Sequence, residues 1–226
     1  MLCRTCRGPA GAGFSRCYQC EQAAGEAGGL LADAVAPAGY ALRGGPLAAD
    51  LFQYKSDRVA AGERRAAAAR LRELLAAFLA DHGPAVWRAA GMTAGPAAAA
   101  VVPSGQGRPG PHPLAGIVRS CVDLPLVRLA VRPAEVHARR VNAGWVHVGD
   151  PVRGADLLVV DDTWVSGGSA QSVAAALKLA GARRVAVVVL GRHVNPANPR
   201  AAAVLQKISP PDVPGVGCCF VKGTRE

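Results

Sequence analysis

Residues 157–182 read LLVVDDTWVSGGSAQSVAAALKLAGA, and the order of residue types within them decides the fold of the chain. Leu157 to Val160 are four consecutive apolar residues, the mark of a strand buried on both faces of a parallel sheet. Asp161 and Asp162 follow, where such a strand is expected to end. Ser166, Gly167, Gly168 and Ser169 make a small-residue loop, and Val173, Ala176, Leu177 and Ala180 then recur at helical spacing along one apolar face. Backbone N–H groups at the start of that helix, aided by its dipole, would point at an anion. Glycine lets the backbone come close to such a group, and adjacent carboxylates accept hydrogen bonds from vicinal hydroxyls. Strand, acid pair, loop and helix start together describe a socket for a sugar phosphate.

Other proteins also place Asp-Asp after an apolar strand: Walker B segments, phospho-acceptor domains and plain strand ends. A Walker B segment works with an upstream G-x-x-x-x-G-K-[ST], and no glycine in this chain is followed by lysine. A strand, polar turn and helix with no ligand is the remaining alternative. Two acids beside a glycine pair are a poor choice for a turn that only reverses the chain.

Around this stretch, strands are expected at residues 97–102, 126–131, 145–148 and 185–190, with a helix over 112–121. Alternating strands and helices predict an α/β fold, a mostly parallel sheet flanked by helices. Ligands on such sheets bind at the carboxyl ends of the strands, which puts Ser104 and Gly105 on the same rim as Asp161 and Asp162. Upstream, Gly25 to Gly45 reads as a glycine- and alanine-rich linker, with at most a short strand near Val35 or Tyr40. Residues 51–57 lead into an amphipathic helix carrying Leu71, Leu74, Leu75, Phe78 and Leu79 on one face, after Val59. Its other faces carry Arg64, Arg65, Arg70, Arg72 and Glu73, and Gly83-Pro84 is expected to end it.

Cys3-x-x-Cys6 and Cys17-x-x-Cys20 are paired knuckles ten residues apart, each turning two thiolates to one side. The expectation is a structural zinc site with four sulfur ligands and no open position. Cys121 reads as a small buried hydrophobe, and Cys218 and Cys219 as neighbours on a strand. The resulting division is a zinc knuckle over 1–24, a linker and amphipathic helix over 25–90, and an α/β core over 91–226.

From Leu157 to Ser169 the sequence resembles the phosphoribosyl-pyrophosphate signature of the type I phosphoribosyltransferases: four apolar residues, two acids, a short step, then hydroxylated residues around a glycine. Two positions depart from it: Val165 stands where the family has a hydroxylated residue, and Thr163 where it has an aliphatic one. The resemblance implies that Asp161 and Asp162 hold the ribose hydroxyls and that the backbone of Val165, Ser166, Gly167, Gly168 and Ser169 holds the 5′-phosphate. It also implies that Ser104, Gly105 and Arg108 grip the pyrophosphate, and that residues 132–144 form a covering flap, with Arg139 or Arg140 neutralising charge. Arg139-Arg140-Val141-Asn142 followed by Trp145, the four cysteines, and Tyr54-Lys55 are similar to one branch, the competence-associated ComF-type proteins. A glutamine before that R-x-x-N step and an R-G-F-N-Q-like segment, both usual in the branch, are absent. The implied activity is transfer of a phosphoribosyl group from phosphoribosyl pyrophosphate, with Mg²⁺, to an acceptor that the sequence does not identify. The alternative is a non-catalytic phosphoribosyl-pyrophosphate-binding protein, or a DNA-uptake protein that contacts single-stranded DNA through the knuckle and the Arg64–Arg65 face.

Composition bounds these readings. The formal net charge of +10 comes almost entirely from arginine, since Lys55, Lys178, Lys207 and Lys222 are the only lysines. A basic balance suits either a pyrophosphate ester or nucleic acid. Four thiolates on one Zn²⁺ would lower the charge by about two units and leave the excess intact. Aromatic residues make up 4% of the chain, which argues against a base-stacking platform. No apolar run has the length of a membrane span and the first residues, MLCRTCRGPAGAG, do not read as a signal peptide, so a cytoplasmic protein is expected.

Overall fold

A computed structural model describes residues 1–27, 29–104, 112–132 and 139–206 of the chain. In order, they form α1 (Tyr18–Ala27), β1 (Ala34–Leu42), α2 (Pro46–Gln53), α3 (Ala61–Ala89), β2 (Ala98–Val101) and α4 (Pro113–Cys121). There follow β3 (Leu129–Val131), β4 (Val146–Val148), β5 (Asp156–Trp164), α5 (Gly168–Leu179), β6 (Arg184–Val194) and the short α6 (Ala202–Leu205).

The central sheet has four strands in the order β1-β6-β5-β2, every neighbouring pair parallel. Leu157 to Val160 lie at its centre with no solvent exposure, as a double-faced strand requires. Alternation sends Leu158 and Val160 into one core, with Ala36, Val188, Leu190 and the α3 residues Leu71, Leu75 and Phe78. Leu157 and Val159 enter a second core on the other face, with Val187, Val189 and the α5 residues Val173 and Leu177. Burial of each such side chain is worth about 1.5–3 kcal/mol, enough to fix this register against a one-residue slip. The four cysteines close the second core at its edge.

Several boundaries differ from expectation. β5 does not stop before the acids: pairing with β6 continues through Thr163↔Gly191 and Trp164↔Arg192, and the burial of Trp164 draws the strand on. The stretch read as a linker holds the end of α1 and the nine-residue strand β1, which forms one edge of the core sheet ahead of residue 91. AVAPAGYAL has few β-branched residues and a proline, so partners rather than propensity make it a strand; an edge position tolerates Pro37. α3 runs through Gly83-Pro84 to Ala89. Val86 is fully buried and Gly83 packs on the Trp87 ring, and this burial offsets the hydrogen bond that proline removes. Of residues 126–131 only Leu129–Val131 is a strand, antiparallel to β4 in a separate two-stranded sheet, with a single parallel bridge from Leu126 to Ala99. Trp145 sits in a 3-10 turn, Ala143–Trp145, before β4.

Cys121 is half-buried, its thiol donating to the Arg72 carbonyl at 3.5 Å. Cys218 and Cys219 lie outside the described residues. Among those described, no helix is long and apolar enough to cross a membrane.

Candidate functional site

The parallel register aligns the carboxyl ends of β2 and β5: Val101 pairs with Val160, and the N–H of Val102 donates to the Val160 carbonyl at 3.0 Å. Half-buried Ser104 therefore lies on the same rim as Asp161 and Asp162. Gly105 and Arg108 lie outside the described residues. The end of α2 brings Tyr54 and Lys55 to this rim, and the start of α4 brings His112, whose ring meets that of Tyr54 edge-on at 6.5 Å.

Asp162 Oδ2 accepts from the Tyr54 hydroxyl at 2.5 Å and from Lys55 Nζ at 2.6 Å. Burial opposes its ionisation, but the Lys55 ammonium and the two hydrogen bonds outweigh it and hold the carboxyl below the usual range. Asp161 Oδ1 accepts only the backbone N–H of Asp162 among the hydrogen bonds described, at 2.8 Å. Burial, reinforced by the neighbouring Asp162 charge, pushes its pKa up to about 8. The pair is thus pushed in opposite directions, Asp161 towards its neutral form and Asp162 towards its ionised form.

The loop after β5 is tightly backed. Gly167 caps α5 with φ +86°, and a Cβ there would stand 2.1 Å from the Trp164 ring, so only glycine fits. Gly168 is closed in by the Arg139–Arg140 backbone, 2.8 Å from where its Cβ would be. Both glycines are consequently buried, whereas an open cup lined by the pair was the expectation; Val165 and Ser169 are exposed and Ser166 half-buried. Ser166 Oγ accepts the N–H of Gly168 at 3.3 Å. The N–H groups of Ser169 and Ala170, in the first turn of α5, have no helical acceptor and remain directed at whatever lies before the helix.

Residues 139–145 pass over that first turn. The N–H of Asn142 donates to Ser172 Oγ at 2.8 Å, and the Ser172 hydroxyl donates to the Gly168 carbonyl at 2.7 Å. Arg139 is exposed, with φ +75°. Arg140 is exposed too, but its Nε donates to Glu26 at 2.8 Å, and Glu26 also takes the N–H of Val141 at 2.9 Å. Those bonds, the Val141 one first, hold the Glu26 carboxyl below its usual range. The pairing ties Arg140 to α1 instead of leaving it over the loop.

Cys3, Cys6, Cys17 and Cys20 bring their sulfur atoms within 4.8 Å of one another, with Cys6 and Cys17 at 3.7 Å. A tetrahedron with metal–sulfur bonds of about 2.3 Å has edges of about 3.8 Å, so this donor set fits a structural ion such as Zn²⁺. Mutual hydrogen bonding holds Cys3 and Cys17 below the usual thiol range, Cys17 down to about 6, and pushes Cys6 and Cys20 above it. Thiols this close cannot all ionise without a cation among them.

Residue patterns did not reveal the roles of Trp164 beneath the loop, Glu26 under Arg140, or Arg192. Arg192 is buried and its Nη1 donates to the carbonyls of Trp164, Val165 and His193 at 2.9, 3.1 and 2.8 Å. Tyr54-Lys55 carried a signal as a short motif, but nothing in it named Asp162 as the partner.

No protein-family model and no curated protein matches the chain. Among solved structures, a hypoxanthine phosphoribosyltransferase from Staphylococcus aureus overlaps 56% of this chain and 74% of its own at 11% identity and a TM-score of 0.37. A purine phosphoribosyltransferase from Pyrococcus horikoshii Ot3 overlaps 57% of this chain and 87% of its own at 16% identity and a TM-score of 0.32. Fold and site define an α/β protein with a four-strand parallel sheet between helices and an N-terminal four-cysteine cluster.

Proposed function

We propose that the chain binds phosphoribosyl pyrophosphate with Mg²⁺ at the carboxyl rim of the sheet and transfers the phosphoribosyl group to an acceptor. The observation that carries this reading is the Asp161–Asp162 pair past the end of β2, Asp162 gripped by Tyr54 and Lys55, with the loop into α5 following directly in the chain. Vicinal ribose hydroxyls each donate and accept, so a neutral acid next to a carboxylate matches them better than two like charges. The exposed positions Val165 and Ser169, with the α5 dipole behind them, suit the 5′-phosphate. The four-cysteine cluster ahead of such a core, and the Arg139–Asn142 step, support a ComF-type relative.

Displacement at the anomeric carbon builds positive charge on the ribose as pyrophosphate leaves. Asp162, fixed by Lys55 and Tyr54 through Oδ2, offers its other carboxylate oxygen as a pre-set acceptor that orients a ribose hydroxyl while that charge develops. Asp161 and the phosphate loop orient the sugar, using binding energy remote from the reacting centre. Asp162 is engaged by Lys55, so the pair is not a free carboxylate cage for magnesium. Mg²⁺ would arrive on the pyrophosphate oxygens, where it neutralises the leaving group.

Calorimetry with phosphoribosyl pyrophosphate and Mg²⁺, on wild type and on Asp161→Asn/Asp162→Asn, tests this. Saturable binding lost in the double variant is expected, and equal binding by both proteins removes the assignment. A pyrophosphate-release assay separates turnover from binding alone. Binding without turnover has its own support: Val165 brings no hydroxyl to the loop, and the Gly168 N–H is already taken by Ser166. The DNA-contacting alternative draws less, because Arg64 donates to the Val59 carbonyl at 2.7 Å and Arg70 pairs with Asp50, thinning the arginine face.

A further inference from the structure

The cysteine module and the phosphate loop meet at one side chain. Arg192 leaves β6 at its pairing with Trp164 and spends one nitrogen, Nη1, on the carbonyls of Trp164 and Val165, the two residues that open the loop. Its other side faces the first cysteine turn. A Cβ on Gly8 would stand 2.3 Å from Arg192 Nη2, so the turn that begins at Cys3 lies directly on the guanidinium. That turn is closed by the N–H of Cys3 donating to the Gly8 carbonyl at 2.8 Å, and it is tied to β1 by the Tyr40 hydroxyl donating to the Arg7 carbonyl at 3.1 Å.

The electrostatics are unusual for a buried arginine. Arg192 is 7% exposed, no carboxylate among the described residues pairs with it, and its Nε is buried without a hydrogen-bond partner. A buried cation without a counter-ion is costly. The first cysteine turn lies against the guanidinium at Gly8, so a counter-charge held by the cysteines would act on it directly. Four thiolates around Zn²⁺ carry a net charge of about −2, which would hold the guanidinium in place.

We propose that Arg192 is a positioning residue that couples the four-cysteine turn to the Trp164–Val165 backbone, so that metal occupancy of the cysteines sets the order and ligand affinity of the phosphate loop. The second half rests on the sugar-phosphate reading; the coupling itself does not. Loss of the metal loosens the Cys3–Gly8 turn, removes the counter-charge and frees the guanidinium. The two carbonyls then lose their donor, and the loop loses the fixed entry into α5 that pre-organises it.

The test uses the full chain, zinc-loaded and after chelation, as wild type, Arg192→Met and Gly8→Ala. Amide hydrogen exchange at residues 164–169 reads the coupling without any ligand. In wild type, chelation is expected to raise exchange there while the interior of β6 stays protected. Arg192→Met should exchange fast in both states. Gly8→Ala, which crowds the guanidinium without removing its charge, should raise loop exchange while keeping its zinc by a colorimetric release assay. Gly8→Ala also covers the case in which Arg192→Met fails to fold. Calorimetry with phosphoribosyl pyrophosphate and Mg²⁺ should then show affinity falling about tenfold on chelation of wild type, and no further fall on chelation of Arg192→Met. Loop exchange that ignores chelation, or that responds equally in Arg192→Met, overturns the coupling. Coupled exchange with no phosphoribosyl-pyrophosphate binding leaves the coupling standing and overturns the ligand.

Discussion

The Tyr54 hydroxyl donates to Asp162 Oδ2 at 2.5 Å across 108 positions of sequence, joining the end of α2 to β5, an inner strand of the sheet. Asp162 is buried, so this bond and the Lys55 ion pair keep a charge inside the protein that would otherwise be neutralised. Replacing Tyr54 with Phe retains the ring and deletes a hydrogen bond to a charged group. A loss of about 1–3 kcal/mol in unfolding free energy is expected from denaturant titration. An unchanged midpoint and slope would mean the hydroxyl carries nothing.

The acid pair gives stability a characteristic pH dependence. Asp161 has a folded pKa of about 8, raised by burial from an ordinary 3.8. Its stabilising contribution is complete below about pH 4 and is lost as pH rises towards 8. Asp162 is depressed, so its contribution is present above its ordinary value and lost only in acid. His193, pushed down by burial, adds a slope of the opposite sense on the acid side. Asp161→Asn removes this titration and leaves His193 unchanged, so the difference between variant and wild type reads Asp161 together with its interaction with Asp162. The variant should gain stability relative to wild type between pH 5 and 8, on the order of 1–3 kcal/mol. Parallel curves for the two proteins would contradict the raised Asp161 pKa.

Purified chain should carry one zinc held by Cys3, Cys6, Cys17 and Cys20. Cys3→Ser or Cys20→Ser should abolish stoichiometric metal, by elemental analysis, and chelation should lower the thermal midpoint. Full metal content in a single-cysteine variant would show that the four sulfurs are not the ligand set. Because every ligand is protein sulfur, removing the metal is expected to loosen structure and not to remove a reacting group.

At Gly167 the backbone is left-handed and Trp164 fills the space a side chain would need. Gly167→Ala should cost about 1–3 kcal/mol of stability and move the start of α5. Phosphoribosyl-pyrophosphate affinity should fall by more than the stability loss alone explains, measured by calorimetry well below the unfolding temperature. Wild-type affinity in a folded Gly167→Ala protein would place the anion elsewhere.

Some of this was legible in the residues themselves. LLVV fixed a double-faced strand because only a parallel sheet covered on both sides buries four consecutive apolar residues, and α5 followed from its apolar spacing. The four cysteines declared a cluster because two C-x-x-C turns ten residues apart each turn two thiols to one side. Strand and helix limits were less visible: β5 runs on to Trp164 because β6 supplies ladder partners, and α3 passes through Pro84 because Val86 has a core to enter. Local propensity does not register those gains. β1 is the sharpest instance, an alanine-rich segment that is a strand only because β6 lies beside it.

By itself, then, the sequence determined what depends on neighbours along the chain: the double-faced strand, the acid pair, the glycine turn, the following helix and the paired cysteine knuckles. Only the tertiary structure decided what depends on neighbours across it. Asp162 became the partner of Tyr54 and Lys55, Glu26 took Arg140 away from the loop, and Arg192 came to lie between the cysteine turn and Trp164. Side-chain charge and hydrogen bonding act over a few ångströms of space, whatever the distance in sequence, so the partners of the acids and the closure of the glycine pair were set by packing.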